Sequence, residues 1–299
     1  MRSSRVRIIG ALLAAALLLG GCSALRFAYN QGPDIVYWWL DGYVDFDSAQ
    51  TPRVRAAIGD WFRWNRVSQL PGYAALLARA EGEIGADATP EQLCRWNDTV
   101  RERLVAAFDA AVPAIAELAP SLAPAQIEHI EKRFGKRNAE YRDDYRLGED
   151  AAEQQRAAVK RLLSRAEMMY GRLDEAQRER IARGVAASPF DAEVWLAERK
   201  ARQADIVATL RRLRSEALSR PEAEQVLRSL ATRFTRSPRP DYRSYEQTLT
   251  QYNCVFAAAV HNTTTPVQRE AAMRKLKGWE TALRALIAEG PVSASPVER

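Results

Sequence analysis

Apolar side chains recur at steps of three and four along almost the whole chain, and that period confines it to helices. Leu93, Trp96, Val100, Leu104, Phe108 and Ala111 form one such stripe; Ile127, Ile130, Phe134, Asn138, Tyr141 and Tyr145 form a second; Val159, Leu162, Ala166 and Met169 a third. No run alternates apolar with polar residues between turn signals, as a half-buried strand would require. The expected fold is all-α, an elongated multi-helix bundle of about eight to ten helices.

Proline and glycine mark the boundaries. Pro33 suits the first turn of a helix carrying Ile35, Val36, Trp38, Trp39 and Leu40, and Thr51-Pro52 reads as a cap and first turn of the next. Pro71-Gly72 predicts a break. Four later starts share one form: Thr89-Pro90-Glu91-Gln92, Ala123-Pro124-Ala125-Gln126, Asp174-Glu175-Ala176-Gln177 and Thr265-Pro266-Val267-Gln268. In three of them a capping residue is followed three places on by Gln, so each side chain can satisfy an otherwise orphaned backbone N–H; Ala123 lacks the side-chain acceptor. Ser188-Pro189 is expected to cap the longest helix, Phe190 to about Leu218, with a length of about 43 Å.

The N-terminus is set apart. Arg2, Arg5 and Arg7 precede an apolar run from Ile8 to Leu19, too short to remain as a spanning helix and laid out as a secretory signal. Leu19-Gly20-Gly21-Cys22 resembles the lipobox of bacterial lipoproteins. That resemblance implies acylation of Cys22, cleavage before it, and stable anchoring through several acyl chains. Ser23 after the cysteine implies the outer membrane, periplasmic side. The expected organisation is a signal peptide at 1–21, a lipidated N-terminus and short tether at 22–32, one all-α domain at 33–290 and a tail at 291–299.

Net charge shrinks with the signal. The whole chain carries +6, three of its arginines precede Cys22, and the remainder has 41 basic against 38 acidic residues. So small an excess, in a secreted chain, argues against nucleic acid as a partner. Charge is nevertheless uneven: Phe27 to Pro52 holds Asp34, Asp41, Asp45 and Asp47 without Lys or Arg, while Arg199 to Arg243 has 12 basic residues against five acids. The basic segment is read either as a surface for anionic lipid or an acidic client, or as a solvated face neutralised by acids elsewhere. With Cys22 assigned to lipid, Cys94 and Cys254 remain, and an oxidising compartment predicts a disulfide between them, the alternative being two separately buried thiols. Such a bond would close one domain.

Catalytic signatures are missing. The two histidines, His129 and His261, lie in no H-E-x-x-H pattern, and there is no G-x-S-x-G, P-loop or zinc-finger cysteine spacing. No catalytic, metal or cofactor residue is therefore assigned. Asp41, Asp45 and Asp47 lack the spacing and glycine of a calcium loop and read as an acidic turn capping the next helix. Four of the seven tryptophans fall between residues 38 and 64; the cluster is read as core, with an interfacial belt or sugar platform as the alternatives.

Several stretches resemble an uncharacterised family of proteobacterial lipoproteins: the lipobox, Trp38-Trp39-Leu40-Asp41-Gly42-Tyr43-Val44-Asp45, Gln69-Leu70-Pro71-Gly72-Tyr73, Ser188-Pro189-Phe190-Asp191 with Trp195-Leu196-Ala197-Glu198-Arg199, and Tyr252-Asn253-Cys254. Leu122 to Gln126 and Leu173 to Gln177 are also similar to the L-T-x-x-Q motif of periplasmic helical chaperones, without its Thr. The resulting expectation is a non-enzymatic binding or chaperone-like role, with a protein client or an anionic envelope component as partner. The alternatives are an envelope enzyme acting on glycan or lipid through carboxylates, or a structural tether.

Overall fold

A computed structural model of the chain describes residues 20–290. The expectations for the signal peptide and for the tail at 291–299 lie outside the described residues, as does the side chain of Cys22. The elements are α1 (Gly20–Asn30), α2 (Gly32–Val44), α3 (Gln50–Trp64), α4 (Leu70–Glu83), α5 (Pro90–Asp109), α6 (Val112–Leu118), α7 (Pro124–Asp144), α8 (Ala151–Tyr170), α9 (Glu175–Ala186), α10 (Ala192–Ser215), α11 (Arg220–Thr235), α12 (Pro240–His261) and α13 (Pro266–Ala288). Among the described residues there is no strand, only an isolated bridge between Leu147 and Glu149. The fold is an all-α multi-helix bundle.

Several local expectations need correction. Residues 23–30, read as a connector, are helical: Leu25 and Tyr29 pack on Leu70, Ala74, Leu283 and Leu286, which supplies the burial a short isolated helix needs. The chain then runs almost unbroken into α2, because Gln31 N–H still reaches Phe27 O and Ile35 N–H reaches Gln31 O. Pro71 does not break the chain either. A π-turn at Asn65–Gln69, with Leu70 N–H bonded to Asn65 O, puts Pro71 in the first turn of α4, where no intrahelical N–H bond is required of it. The cap of α3 is Asp47, not Thr51: its Oδ1 accepts from Ala49 and Gln50 N–H at 2.8 Å. Asp41 Oδ1 takes the Phe46 N–H in the same turn, so these carboxylates satisfy backbone as the acidic-turn reading expected. The longest helix starts later and ends earlier than expected, capped by Asp191.

The apolar stripes are spent on four linked clusters. Tyr37, Val54, Ile58 and Phe62 join α2 to α3, and the aromatic edge of Phe62 lies against Gly32, where any Cβ would collide with the ring. Leu122, Ile127 and Val207 join α7 to α10. Val112, Ala116, Ala119, Leu213, Ala223 and Leu227 join α6 and its 3₁₀ extension to α10 and α11. A window within Pro90–Ser121 is apolar enough for a membrane span by composition, but α5 ends at Asp109 and the apolar residues beyond it face α10 and α11.

Two pairs of glutamines lock helix starts that are far apart in sequence. Gln177 and Gln268 each accept their own N-cap N–H, from Asp174 and Thr265, and each donates to the other's Oε1 at 2.8 and 2.9 Å. The second proton of each amide goes to a carbonyl before the partner helix, Thr263 O or Arg172 O. Gln50 and Gln126 repeat the arrangement, with Asp47 and Ala123 as the caps and Ser121 O and Asp45 O as the carbonyl acceptors. All four side chains are buried, so the amides must pair with each other and with backbone.

Candidate functional site

Neither α5 nor α8 contains a buried residue, although both carry regular apolar stripes. Val100 and Leu104 of the α5 stripe are exposed, against the expectation that this face is core. Nearer the start of α5, Leu93 and Trp96 face α8. That helix lies on α9 and touches α13, but stands away from α5 and α12, and the space left between them is a cavity of about 970 Å³.

The cavity is mostly apolar. Leu162, Ala166 and Met169 of α8 face Leu93 and Trp96 of α5 and Leu249, Phe256 and Val260 of α12, with Ile181 and Val185 of α9 beneath. It follows α8 from Gln154 to Tyr170, a length of about 24 Å at the helical rise. Gly184 permits the close approach of α9 to α12: the Phe256 ring lies over its Cα, leaving no room for a side chain, and Tyr252 Oη donates to Gly184 O at 2.5 Å.

One end is closed by a buried polar set. His261 Nε2–H donates to Ala86 O at 2.7 Å, which leaves Nδ1 to accept from Tyr170 Oη at 2.9 Å. Burial pushes the Tyr170 hydroxyl up from its ordinary value, so it remains a donor. At the other end Arg161 lies over the Tyr145 ring, 4.2 Å from its centroid, and donates to Asp144 O. Arg165 lines the same wall, is exposed, and has no ion-pair partner among the described residues.

Both acidic residues that line the cavity are already engaged. Glu83 accepts from Arg79 and from Trp96 Nε1, and the Arg79 bond leads the causes that hold its carboxyl below the ordinary glutamate value, while its slight burial opposes them. Asp87 pairs with Arg269. With Glu83 held ionised and bonded, the pair offers no poised general acid.

The early tryptophans are divided. Trp61 and Trp64 are half-buried, Trp61 Nε1 donating to Ala107 O at 2.8 Å, whereas Trp38 and Trp39 are 64% and 55% exposed. None of the four lines the cavity; Trp96 and Trp195 do. Cys94 and Cys254 form a disulfide joining α5 to α12, adjacent in sequence to the lining residues Leu93 and Asn253. His129 stays outside the cavity. Among the described residues no group of three or more His, Cys, Asp or Glu is placed to hold a metal ion.

The basic segment is half neutralised, Arg202, Arg211, Arg212, Arg220, Arg228 and Arg239 of its 12 basic residues being ion-paired. Arg211 pairs with Glu131, Arg228 with Asp109 and Glu224, and Arg239 with Glu198 and Asp205. Glu198 is buried and also takes Arg202. Burial alone would raise its carboxyl, but the bonds from Arg239 and Arg202 outweigh that and leave it below the ordinary value.

The cavity could not be found from spacing because its walls come from helices spread through the chain, from Ala80 of α4 to Leu276 of α13. The only local signal was α8, whose medium and small apolar residues at helical spacing are not accompanied by the large aromatics that fill the other interfaces.

Set beside known proteins, residues 42–243 match the model of a family described as a family of unknown function, DUF6279. No curated protein and no solved structure matches.

Proposed function

The chain belongs to this family of unknown function, and we propose for it a non-enzymatic binding role in the bacterial envelope, with the cavity under α8 as the site and an amphipathic, anionic-headed molecule as ligand. The observation that carries this reading is the cavity itself. Its volume of about 970 Å³ lies within the range of small-molecule sites, and its long apolar walls suit an extended hydrocarbon. Arg165, without a counter-charge, and Arg161, already held over Tyr145, supply the only basic groups on the lining, so an anionic head is favoured there. A bounded cavity supports binding of one defined ligand over general capture of unfolded chains, the other form of the same role. The enzyme alternative gains nothing from Glu83 and Asp87, each already tied to arginine.

In the same proposal the protein is a lipoprotein, acylated at Cys22 and held on the periplasmic face of the outer membrane. The support is the sequence at 2–22, together with a Cys94–Cys254 disulfide of the kind that persists in an oxidising compartment.

The test is titration of the folded, disulfide-intact protein with a fluorescent long-chain carboxylic acid. Saturable binding with one site per chain is expected, accompanied by energy transfer from tryptophan and competed by palmitate. Ala166→Trp, which puts an indole across the α8 wall of the cavity, should weaken it at least about tenfold. Absence of saturable binding to folded protein refutes the cavity reading. Suppression of a model protein's aggregation without probe binding would move the role to the chaperone-like form.

A further inference from the structure

The outward face of α1 and α2 is uncharged over its full length and apolar except at Gln31. Its exposed residues are Ala24, Phe27, Ala28, Gln31, Ile35, Trp38, Trp39 and Gly42. Their spacing of three and four puts them within one sector of a helix, and because α1 continues into α2 through the Gln31 hydrogen bonds the stripe extends for about 27 Å. Phe27 is 68% exposed and Ile35 55%, beside the two open tryptophans.

No charged residue stands in this stripe. Charges border it: Arg26 pairs with Glu289 and Asp34 with Arg55, Arg55 also lying 5.4 Å from the Trp38 ring centroid, and at the far end Arg133 reaches over the Tyr43 ring towards Gly42. The opposite face of the same helices, through Leu25, Tyr29, Val36, Tyr37 and Leu40, is already committed to the core. This helix therefore has two apolar faces, and the described residues cover only one of them.

The position of the stripe decides what covers the other. It begins two residues after Cys22, the cysteine proposed above to carry the acyl chains, so in the anchored protein the stripe starts at the bilayer surface. Tryptophan prefers the headgroup level, and an uncharged stripe of this length along a helix axis can be covered by a bilayer only if the helix lies in the plane of the interface.

We propose that the outward face of α1 and α2, from Ala24 to Gly42, rests in the membrane interface and fixes the orientation of the whole domain on the bilayer. This rests on the anchoring proposed above, and adds to it a second contact about 24 Å from Cys22 along the helix. An acyl anchor alone would leave the domain free to tumble about its attachment. The stripe removes that freedom and holds the two-helix segment flat.

The experiment uses the acylated full-length product in vesicles of phosphatidylethanolamine and phosphatidylglycerol, prepared with ordinary lipid or with lipid brominated near the headgroup end of the chain. Bromine quenches tryptophan by contact. Of the seven tryptophans, only Trp38 and Trp39 are expected to report, so brominated lipid should lower wild-type emission and this loss should vanish in W38F/W39F while persisting in W279F. A parallel sample, without acyl chains and held on nickel-chelating vesicles by an N-terminal polyhistidine tag, separates the two readings. Quenching in that sample when the native product fails to float with vesicles would sink the anchor and keep the stripe. Vesicle-bound, folded protein whose quenching is unchanged by W38F/W39F overturns the stripe. So does a crosslink at position 38 that joins two copies, or emission at 38 and 39 that responds to added oligosaccharide and not to lipid.

Discussion

Truncating Gln177 to alanine should cost far more than truncating Gln92, although both occupy the third position of a helix that opens with a capping box. Gln177 is 3% exposed and makes four bonds: it accepts from Asp174 N–H and Gln268 Nε2, and donates to Thr263 O and Gln268 Oε1. Removing the amide orphans the Asp174 N–H and the Thr263 carbonyl outright, while Gln268 retains Thr265 N–H and Arg172 O. Both groups are part-buried, so at the lower end of about 1–3 kcal/mol for each, the expected loss for Q177A is about 2–4 kcal/mol. Gln92 accepts only the Thr89 N–H, close to solvent, where water replaces it, so Q92A should lose about 1 kcal/mol or less. Urea unfolding of both variants with the disulfide intact measures the difference, which should appear in the midpoint with the slope unchanged. The double variant Q177A/Q268A should lose less than the sum of the singles by about 1–2 kcal/mol, since the two amides share bonds. Losses for Q177A and Q92A that agree within about 0.5 kcal/mol would refute the claim that the buried pair, beyond the cap, stabilises the junction.

Reduction of Cys94–Cys254, or C94S/C254S, releases a crosslink spanning 160 residues; the chain-entropy relation sets the loss at up to about 5 kcal/mol, read as a large fall in Tm on adding reductant to the wild type and none in the variant. Acid should also weaken the protein through Glu198. Its folded value lies below the ordinary one, so its contribution is complete at pH above the ordinary glutamate range and is lost as pH falls through the lowered native value. E198Q should be less stable at neutral pH and show a flatter decline on acidification; an unchanged pH profile would exclude Glu198 as the source.

Where one helix carries its own explanation, the sequence could be read almost to the residue. The stripe Val159, Leu162, Ala166 and Met169 lies within one unbroken helix, Ala151–Tyr170, and the Thr89, Asp174 and Thr265 caps bond as their spacing requires. Failures came where a distant partner decides. The helix at residues 23–30 exists because Leu283 and Leu286, late in the chain, bury its apolar side. Pro71 is absorbed by a π-turn that no local pattern announces. Reading Leu93 to Ala111 as a core stripe assumed that apolar residues on one face meet protein, yet Leu104 is 66% exposed and Leu93 and Trp96 face the cavity. The glutamines were legible as caps, but their pairing across 76 and 91 residues was not, since the partner of a buried amide depends on which helix starts the fold brings together.

Arg66, buried in the π-turn, donates to Gly290 O and to Asn30 Oδ1, and Arg26 grips Glu289, so the first and last described helices are fastened at one corner. A mechanical pull at residue 20 would therefore load α1 against α13 in shear, across the packing of Leu25 and Tyr29, before any force reached the helices that enclose the cavity. The corner acts as a strain relief: a pull on the N-terminal end is stopped there, and the far side of the molecule keeps its shape.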